Sequence, residues 1–322
     1  MKKTAVMRPS ESETNHLNLY RNCFSIGGIT VEVSGDRAED AALVPSLRPF
    51  QIDSPECDIR IRVQWTADLN SRVKCPLFDS GRTWRCYEDD AGLQFDFNAP
   101  VFGARPYKRL QIDRHFERAV LKMNATAFAD FPFDAEPLEY PLDELLIMHR
   151  LTQERAVELH ASGIVGPDGV GNLFVGHSGA GKSTTTRLWT AREDVTVLSD
   201  DRIILRAENS SMGFVSSDRG GHDRIQMYGT PWHGEAMFAS PEKAPLAAIF
   251  VLEHGSGNNL TELSPSEAVA ELFARSFVPF HCHEYVDSAL RFLQELVSRV
   301  PCYRFAFAPN PAAVEAILTL RH

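Results

Sequence analysis

Nine consecutive residues carry the most legible chemistry of this chain: Gly176, His177, Ser178, Gly179, Ala180, Gly181, Lys182, Ser183 and Thr184. The run Gly176 to Ser183 fits G-x-x-x-x-G-K-[ST] at every position. The glycines let the backbone turn so that successive N–H groups face one anion. A helix begun at Lys182 and Ser183 aims the positive end of its dipole at the same point. Lys182 can reach the β- and γ-phosphates of a nucleoside triphosphate, and the Ser183 hydroxyl can take a position on Mg2+. A Gly-rich turn can match by chance. Here Leu173-Phe174-Val175 before it and Ser183-Thr184-Thr185-Thr186 after it supply the strand and helix start that a phosphate loop needs.

A carboxylate that serves the metal belongs at the end of an apolar strand. Val195-Thr196-Val197-Leu198 runs into Ser199-Asp200-Asp201, and Asp200 lies only 18 residues beyond Lys182. That interval has room for one short helix and a tight return. Of two successive carboxylates, one can serve the metal while the other receives a hydroxyl proton. The plain alternative is a solvated Asp-Asp turn closing a strand. His281-Cys282-His283 also has metal-binding residue types. Neighbours in an extended segment point to opposite faces, however, and no second Cys/His pair stands at zinc-like spacing, so an ordinary loop is expected there. The six cysteines show no paired spacing and read as free thiols of a reducing cytoplasm.

The elements that must hold these residues change character along the chain. Phe24 to Ile26 and Ile29 to Val33 flank the turn Gly27-Gly28, and Ile59, Ile61 and Val63 alternate with Arg60, Arg62 and Gln64. Trp84 to Tyr87 and Leu93 to Phe97 suggest a hairpin closed by the five residues Glu88 to Gly92. Residues 1–135 therefore read as an antiparallel β-rich domain. A proline-rich stretch, Asp130 to Pro141, marks the junction. Residues 136–322 read as an α/β domain with a largely buried sheet. Its expected parts include a helix from Leu142 to Leu151, a strand through Val157 and Leu159, and a helix from about Lys182 to Ala191. A buried strand over Leu246 to Leu252 follows, then a helix capped by Ser264 with Glu267 completing a capping box. A helix around Val286 to Val297, a strand Tyr303 to Phe307 and a helix from Pro311 end the domain.

Taken in order, Leu159-His160, the apolar strand, the phosphate loop, the helix and the Asp200-Asp201 pair resemble the catalytic core of the HPr (histidine-containing protein) serine kinase/phosphorylase family. The match is closer to the HPr-kinase-related proteins of bacterial peptide-modification clusters, where Gly229-Thr230-Pro231-Trp232-His233-Gly234-Glu235, Ala244 to His254 and Pro301 to Phe307 also recur. The resemblance covers most of the chain. It implies a P-loop domain with the fold of HPr kinase and ATP-dependent phosphoenolpyruvate carboxykinase, preceded by the β-rich domain. It further implies that Lys182 and Ser183 hold ATP and its Mg2+, that Asp200 is the metal carboxylate, that Asp201 orients or deprotonates the attacking hydroxyl, and that His160 lies beside the phosphates. Phosphoryl transfer also calls for a cation at the developing charge. Arg202, Arg219 and Arg224 are candidates that sequence does not rank, and His233 and Glu235 can line the acceptor or metal site or belong to a structured loop. The parent family's Glu-x-Arg-Gly loop has only a degenerate counterpart, Ser217 to Gly221. The expected acceptor is therefore a serine of a peptide or protein rather than HPr, such as the precursor peptide of a ribosomally made natural product.

Composition bounds what else the chain can be. Thirty-three Lys and Arg against 43 Asp and Glu give a formal charge of −10, with no basic run, which argues against a broad nucleic-acid footprint. No run approaches a membrane span, and no apolar segment follows Lys2-Lys3 to make a signal peptide, so a cytoplasmic location is expected. Two other functions fit the same motifs: a small-molecule kinase or carboxykinase-like enzyme, and a nucleotide-gated protein that binds a peptide without turnover. A homo-oligomer stays open, because the oligomers of HPr kinases do not follow from motifs alone.

Overall fold

The computed structural model describes residues 19–70, 75–129, 135–208 and 224–320. The N-terminal part builds nine strands: β1 (Tyr20–Ile26), β2 (Ile29–Gly35), β3 (Gln51–Ile52), β4 (Ile59–Thr66), β5 (Phe78–Asp79), β6 (Trp84–Asp89), β7 (Gly92–Phe97), β8 (Lys108–Asp113) and β9 (Arg118–Asn124). They form one sheet in the order β3-β1-β2-β4-β9-β8-β7-β6-β5. Alternation fixes its inner face: Ile59, Ile61 and Val63 are buried while Arg60 and Gln64 are exposed. Two expectations need correction. The sheet is mixed rather than antiparallel, because β4 runs parallel to both β2 and β9. Parallel neighbours need a long crossover, and alternation within a strand carries no trace of one. The β6–β7 hairpin also closes more tightly than expected, with Asp89 paired to Gly92 and only Asp90-Ala91 left as the turn.

A short helix α1 (Ala125–Phe128) follows, then α2 (Leu142–Leu151). Leu142, Leu145, Leu146, Ile147 and Leu151 of α2 enter the core beneath the first sheet, together with Ile204, Tyr228 and Trp232 from farther along the chain. The two parts thus share apolar contacts across the junction.

The second sheet also has nine strands: β10 (Ala156–Val165), β11 (Gly171–Val175), β12 (Thr196–Ser199), β13 (Arg202–Glu208), β14 (Arg224–Tyr228), β15 (Lys243–His254), β16 (Asn259–Glu262), β17 (Ser276–Phe277) and β18 (Cys302–Phe307). Between them lie α3 (Lys182–Thr190), α4 (Pro265–Phe273), α5 (His283–Val297) and, at the end, α6 (Ala312–Thr319). Residues Ala156 to His160 of β10 pair with β13, and Ala161 to Val165 pair with β11. The parallel β11–β15 pairing then closes a ring β11-β10-β13-β14-β15. Strands β11 and β15 are covered on both faces. Leu173, Val175, Ile249 and Val251 meet Leu272, Phe292, Leu293 and Leu296 of α4 and α5. Phe174, Phe250 and Leu252 meet Trp189 of α3 and Val314 and Ile317 of α6. Double cover explains the near-continuous apolar runs in sequence. The capping box at the start of α4 is present as expected, with Ser264 and Glu267 exchanging bonds with each other's backbone. The chain is therefore a mixed α/β protein of two large sheets with few helices. Among the described residues no helix is long and apolar enough to cross a membrane.

Candidate active site at the ends of β11 and β12

The loop Gly176 to Gly181 leaves the end of β11 and feeds α3, which begins at Lys182. Gly179 and Gly181 have φ of +83° and +107°, a region that L side chains rarely adopt. A Cβ on Gly181 would also stand 2.6 Å from the Phe307 ring, so both the turn and the close approach demand glycine there. His177, Ser178, Gly179 and Ser183 face solvent, while Ala180 and Lys182 are buried and Thr184 is half-buried. Lys182 Nζ donates to the carbonyls of Gly176 (2.8 Å) and His177 (3.4 Å), which holds the ammonium at the centre of the loop. Burial lowers its pKa, and the charges of Asp201 and Asp200 oppose that effect. His254 at the end of β15 makes a 2.9 Å hydrogen bond through Nε2 to the Gly179 carbonyl, steadying the loop from the adjacent strand.

Asp201 sits between an imidazole and a guanidinium. His160 Nε2 lies 2.9 Å from its Oδ1, and Arg202 pairs with its Oδ2. The arrangement follows from register: His160 of β10 is the direct partner of Arg202 on β13, and Asp201 immediately precedes that strand. Burial pushes the Asp201 carboxyl up. The His160 hydrogen bond, with the charges of Arg202, His160 and Lys182, more than offsets burial and holds the group ionised below its usual range.

Arg202 is fixed in turn. Its Nε is 2.9 Å from Glu144 of α2 and 3.7 Å from Glu158 of β10, and its guanidinium stacks 4.1 Å over the Phe277 ring of β17. Burial, then the neighbouring Glu144 charge, raises the Glu158 carboxyl well above its usual range, and the Arg202 charge opposes that shift.

Asp200 has different surroundings. Its Oδ1 accepts from the backbone N–H groups of Gly234 (3.0 Å) and Phe238 (3.2 Å), and its Oδ2 accepts from that of Ala236 (2.9 Å). A carboxylate offers about four lone-pair positions, so these bonds leave about one for a cation or a cation-bound water. The segment it holds is anchored elsewhere too. Trp232 Nε1 donates to Asp143 of α2 (2.9 Å), and the Thr230 hydroxyl donates to the Arg202 carbonyl (2.7 Å). Residues 229–238 thus form a tethered loop, with His233 and Glu235 exposed on it beside Asp200.

His160 touches Asp201, the charges of Asp201 and Asp200 act on Lys182, and Ser183 is exposed at the helix start. Among the candidate arginines, Arg202 touches Asp201. Arg224 is the register partner of Glu208, six positions along β13 from Arg202 and so about 20 Å away. Arg219 and the whole of Ser217 to Gly221 lie outside the described residues. His281, Cys282 and His283 diverge. His281 packs against the His149 and Tyr285 rings, Cys282 donates to Glu284, and His283 is 85% exposed. Sequence reasoning missed Glu144, Glu158 and Phe277 behind Arg202. It also missed Arg275, whose carbonyl accepts from the His160 N–H and whose charge acts on Lys182. These partners come from α2, β10, β17 and the turn before β17, and only the tertiary fold brings them to one place.

Beside Thr184 a cleft of about 350 Å³ runs between Arg187 and Leu188 of α3, Ala191 just after it, and Pro311 and Val314 at the start of the last helix. Another, of about 630 Å³, opens where Gly28 faces Arg206 and Glu208, away from the phosphate-loop residues, His160, Asp200 and Asp201. Comparison of the chain with protein-family models and with curated proteins finds no match.

Proposed function

We propose that this protein is an ATP-dependent kinase that transfers the γ-phosphoryl group to a serine hydroxyl of a peptide or protein, using an HPr-kinase-like P-loop domain in residues 136–322. One observation carries the reading: a buried lysine at the start of α3 is seated on the carbonyls of a Gly-rich loop, and an aspartate just past β12 is held by both His160 and Arg202. Lysine and loop N–H groups suit a triphosphate, and a carboxylate kept ionised suits the approach of a hydroxyl.

The residues fit a Mg2+ ion by their donor chemistry: the exposed Ser183 hydroxyl and the remaining lone pair of Asp200 are hard oxygen ligands. Bound there, Mg2+ would neutralise charge that builds on the phosphate oxygens. Lys182 exchanges its loop carbonyls for β- and γ-phosphate oxygens. Asp201 accepts the serine proton as the serine oxygen bonds to the γ-phosphorus and the bond to the ADP oxygen breaks. The products are phosphoserine, ADP and a proton. His160 and Arg202 keep the Asp201 carboxylate aimed, and the cleft beside Thr184 offers apolar walls to the base.

The test is transfer from γ-labelled ATP to a panel of serine peptides and small hydroxyl compounds, with wild type and Asp201→Asn. Peptide labelling that the variant abolishes while still binding ATP supports the reading. Labelling of small molecules alone would point to a small-molecule kinase, and ATP binding with no transfer by wild type to a nucleotide sensor.

A further inference from the structure

Cys23, Glu32 and Cys57 meet on the outer face of the first sheet, remote in sequence from the loop and its aspartates. Glu32 of β2 is the direct antiparallel partner of Cys23 on β1, so their side chains leave the sheet on one face. Cys57 arrives from the connection between β3 and β4, which folds over that face. Their ligand atoms all lie within 4.8 Å of one another, the single such grouping of three or more His, Cys, Asp or Glu among the described residues.

We propose that these three residues form a binding site for a zinc-class, borderline-soft divalent cation, held by two thiolates and one carboxylate with a water as fourth ligand. The spacing carries the assignment. Tetrahedral zinc with Zn–S bonds of about 2.3 Å sets its sulfurs about 3.8 Å apart. The two sulfurs here are 3.6 Å apart. A disulfide would need them at about 2.05 Å.

Packing points the same way. Cys86 and Cys302 are buried as members of the apolar core clusters, whereas Cys23 and Cys57 are 3% and 8% exposed and belong to none of them. They are buried against each other and a carboxylate. Charge closes as well: two thiolates and Glu32 bring −3, the cation +2, and Arg21 the last positive charge. Arg21 Nε stands 3.6 Å from Glu32 and its Nη2 3.8 Å from the Cys23 sulfur. Binding releases two thiol protons to solvent as two metal–sulfur bonds form. A cation there pins the long β2–β4 crossover to β1 and β2 and so fixes the parallel pairing.

The experiment uses the full chain purified without chelator. Zinc is measured by elemental analysis, and Co2+ replaces it after chelation to read the thiolate-to-cobalt charge-transfer band. The expected result is one zinc per chain and a clear band, with the band reduced in Cys23→Ser and in Cys57→Ser and unchanged in the core variant Cys86→Ser. Glu32→Gln keeps both thiols and decides the matter if a cysteine variant misfolds: its zinc affinity should fall at least about tenfold. Zinc far below one equivalent with no cobalt band overturns the proposal, as does a Cys23–Cys57 disulfide in the protein as isolated.

Discussion

Asp200 is 3% exposed and is held by three backbone N–H groups of one loop, whereas the Asp201 side chain keeps 26% of its surface and is held by the side chains of His160 and Arg202. The two carboxylates follow each other in the chain and have entirely different partners. Backbone partners cannot leave without unfolding the loop, so the first carboxylate organises the 229–238 segment. Side-chain partners can give up one bond as a substrate takes it, so the second can do chemistry. The two members of this acidic pair therefore differ in what their oxygens already touch, one fixed by backbone and the other by side chains.

The largest effect that sharpens this contrast is on turnover. Asp201→Asn should lower phosphoryl transfer by about a thousandfold, roughly 4 kcal/mol in barrier, as single-turnover kinetics would show. Its ATP affinity and unfolding midpoint should stay near wild type. Asp200→Ala, which removes a proposed Mg2+ ligand and the anchor of the 229–238 loop together, should lose stability as well as turnover. Three partly buried N–H groups lose a charged acceptor, and urea unfolding should report a loss of about 2 kcal/mol. Equal destabilisation by Asp200→Ala and Asp201→Ala would erase the distinction.

A smaller effect tests a buried group that takes no part in the site. His149 is fully buried between the rings of Phe95, Phe116, His281 and Tyr285, and burial pushes its pKa down to about 3. The unfolded chain takes up this proton below about 6.5 and the folded chain does not. Stability from a neutral His149 is therefore fully present above that pH and lost as pH falls toward 3, by about 1.4 kcal/mol per pH unit. Asp143, which burial pushes up to about 6, slopes the opposite way, so the quantity to measure is the difference between wild type and His149→Phe. That difference should grow with pH to about 6.5 and then level off. A flat difference would mean that His149 titrates normally.

Much of this was legible in the sequence where the cause is local. The Ser264 capping box, the alternation in β4, and the strand, glycine loop and helix around Lys182 each depend on residues within a few positions of one another. The parallel pairings of β4 were hidden because a crossover leaves no periodic mark. For the same reason the hold on Arg202 by Glu144, Glu158 and Phe277 could not be read, nor the meeting of Cys23 with Cys57 34 residues later. The tighter β6–β7 turn was missed because Glu88 and Asp89 look like loop residues yet pair as strand.

The central claim is that the loop at Gly176 to Thr184 grips a triphosphate through Lys182. Calorimetric titration of the full chain with Mg2+ and ATP, for wild type and Lys182→Ala, tests it most directly. The account predicts saturable binding with one site per chain and an affinity at least about a hundredfold weaker in the variant, since a charged hydrogen bond to phosphate is worth about 1.5–3 kcal/mol and a buried ammonium contributes at the upper end. Unchanged affinity in Lys182→Ala, or no binding by wild type, would contradict it.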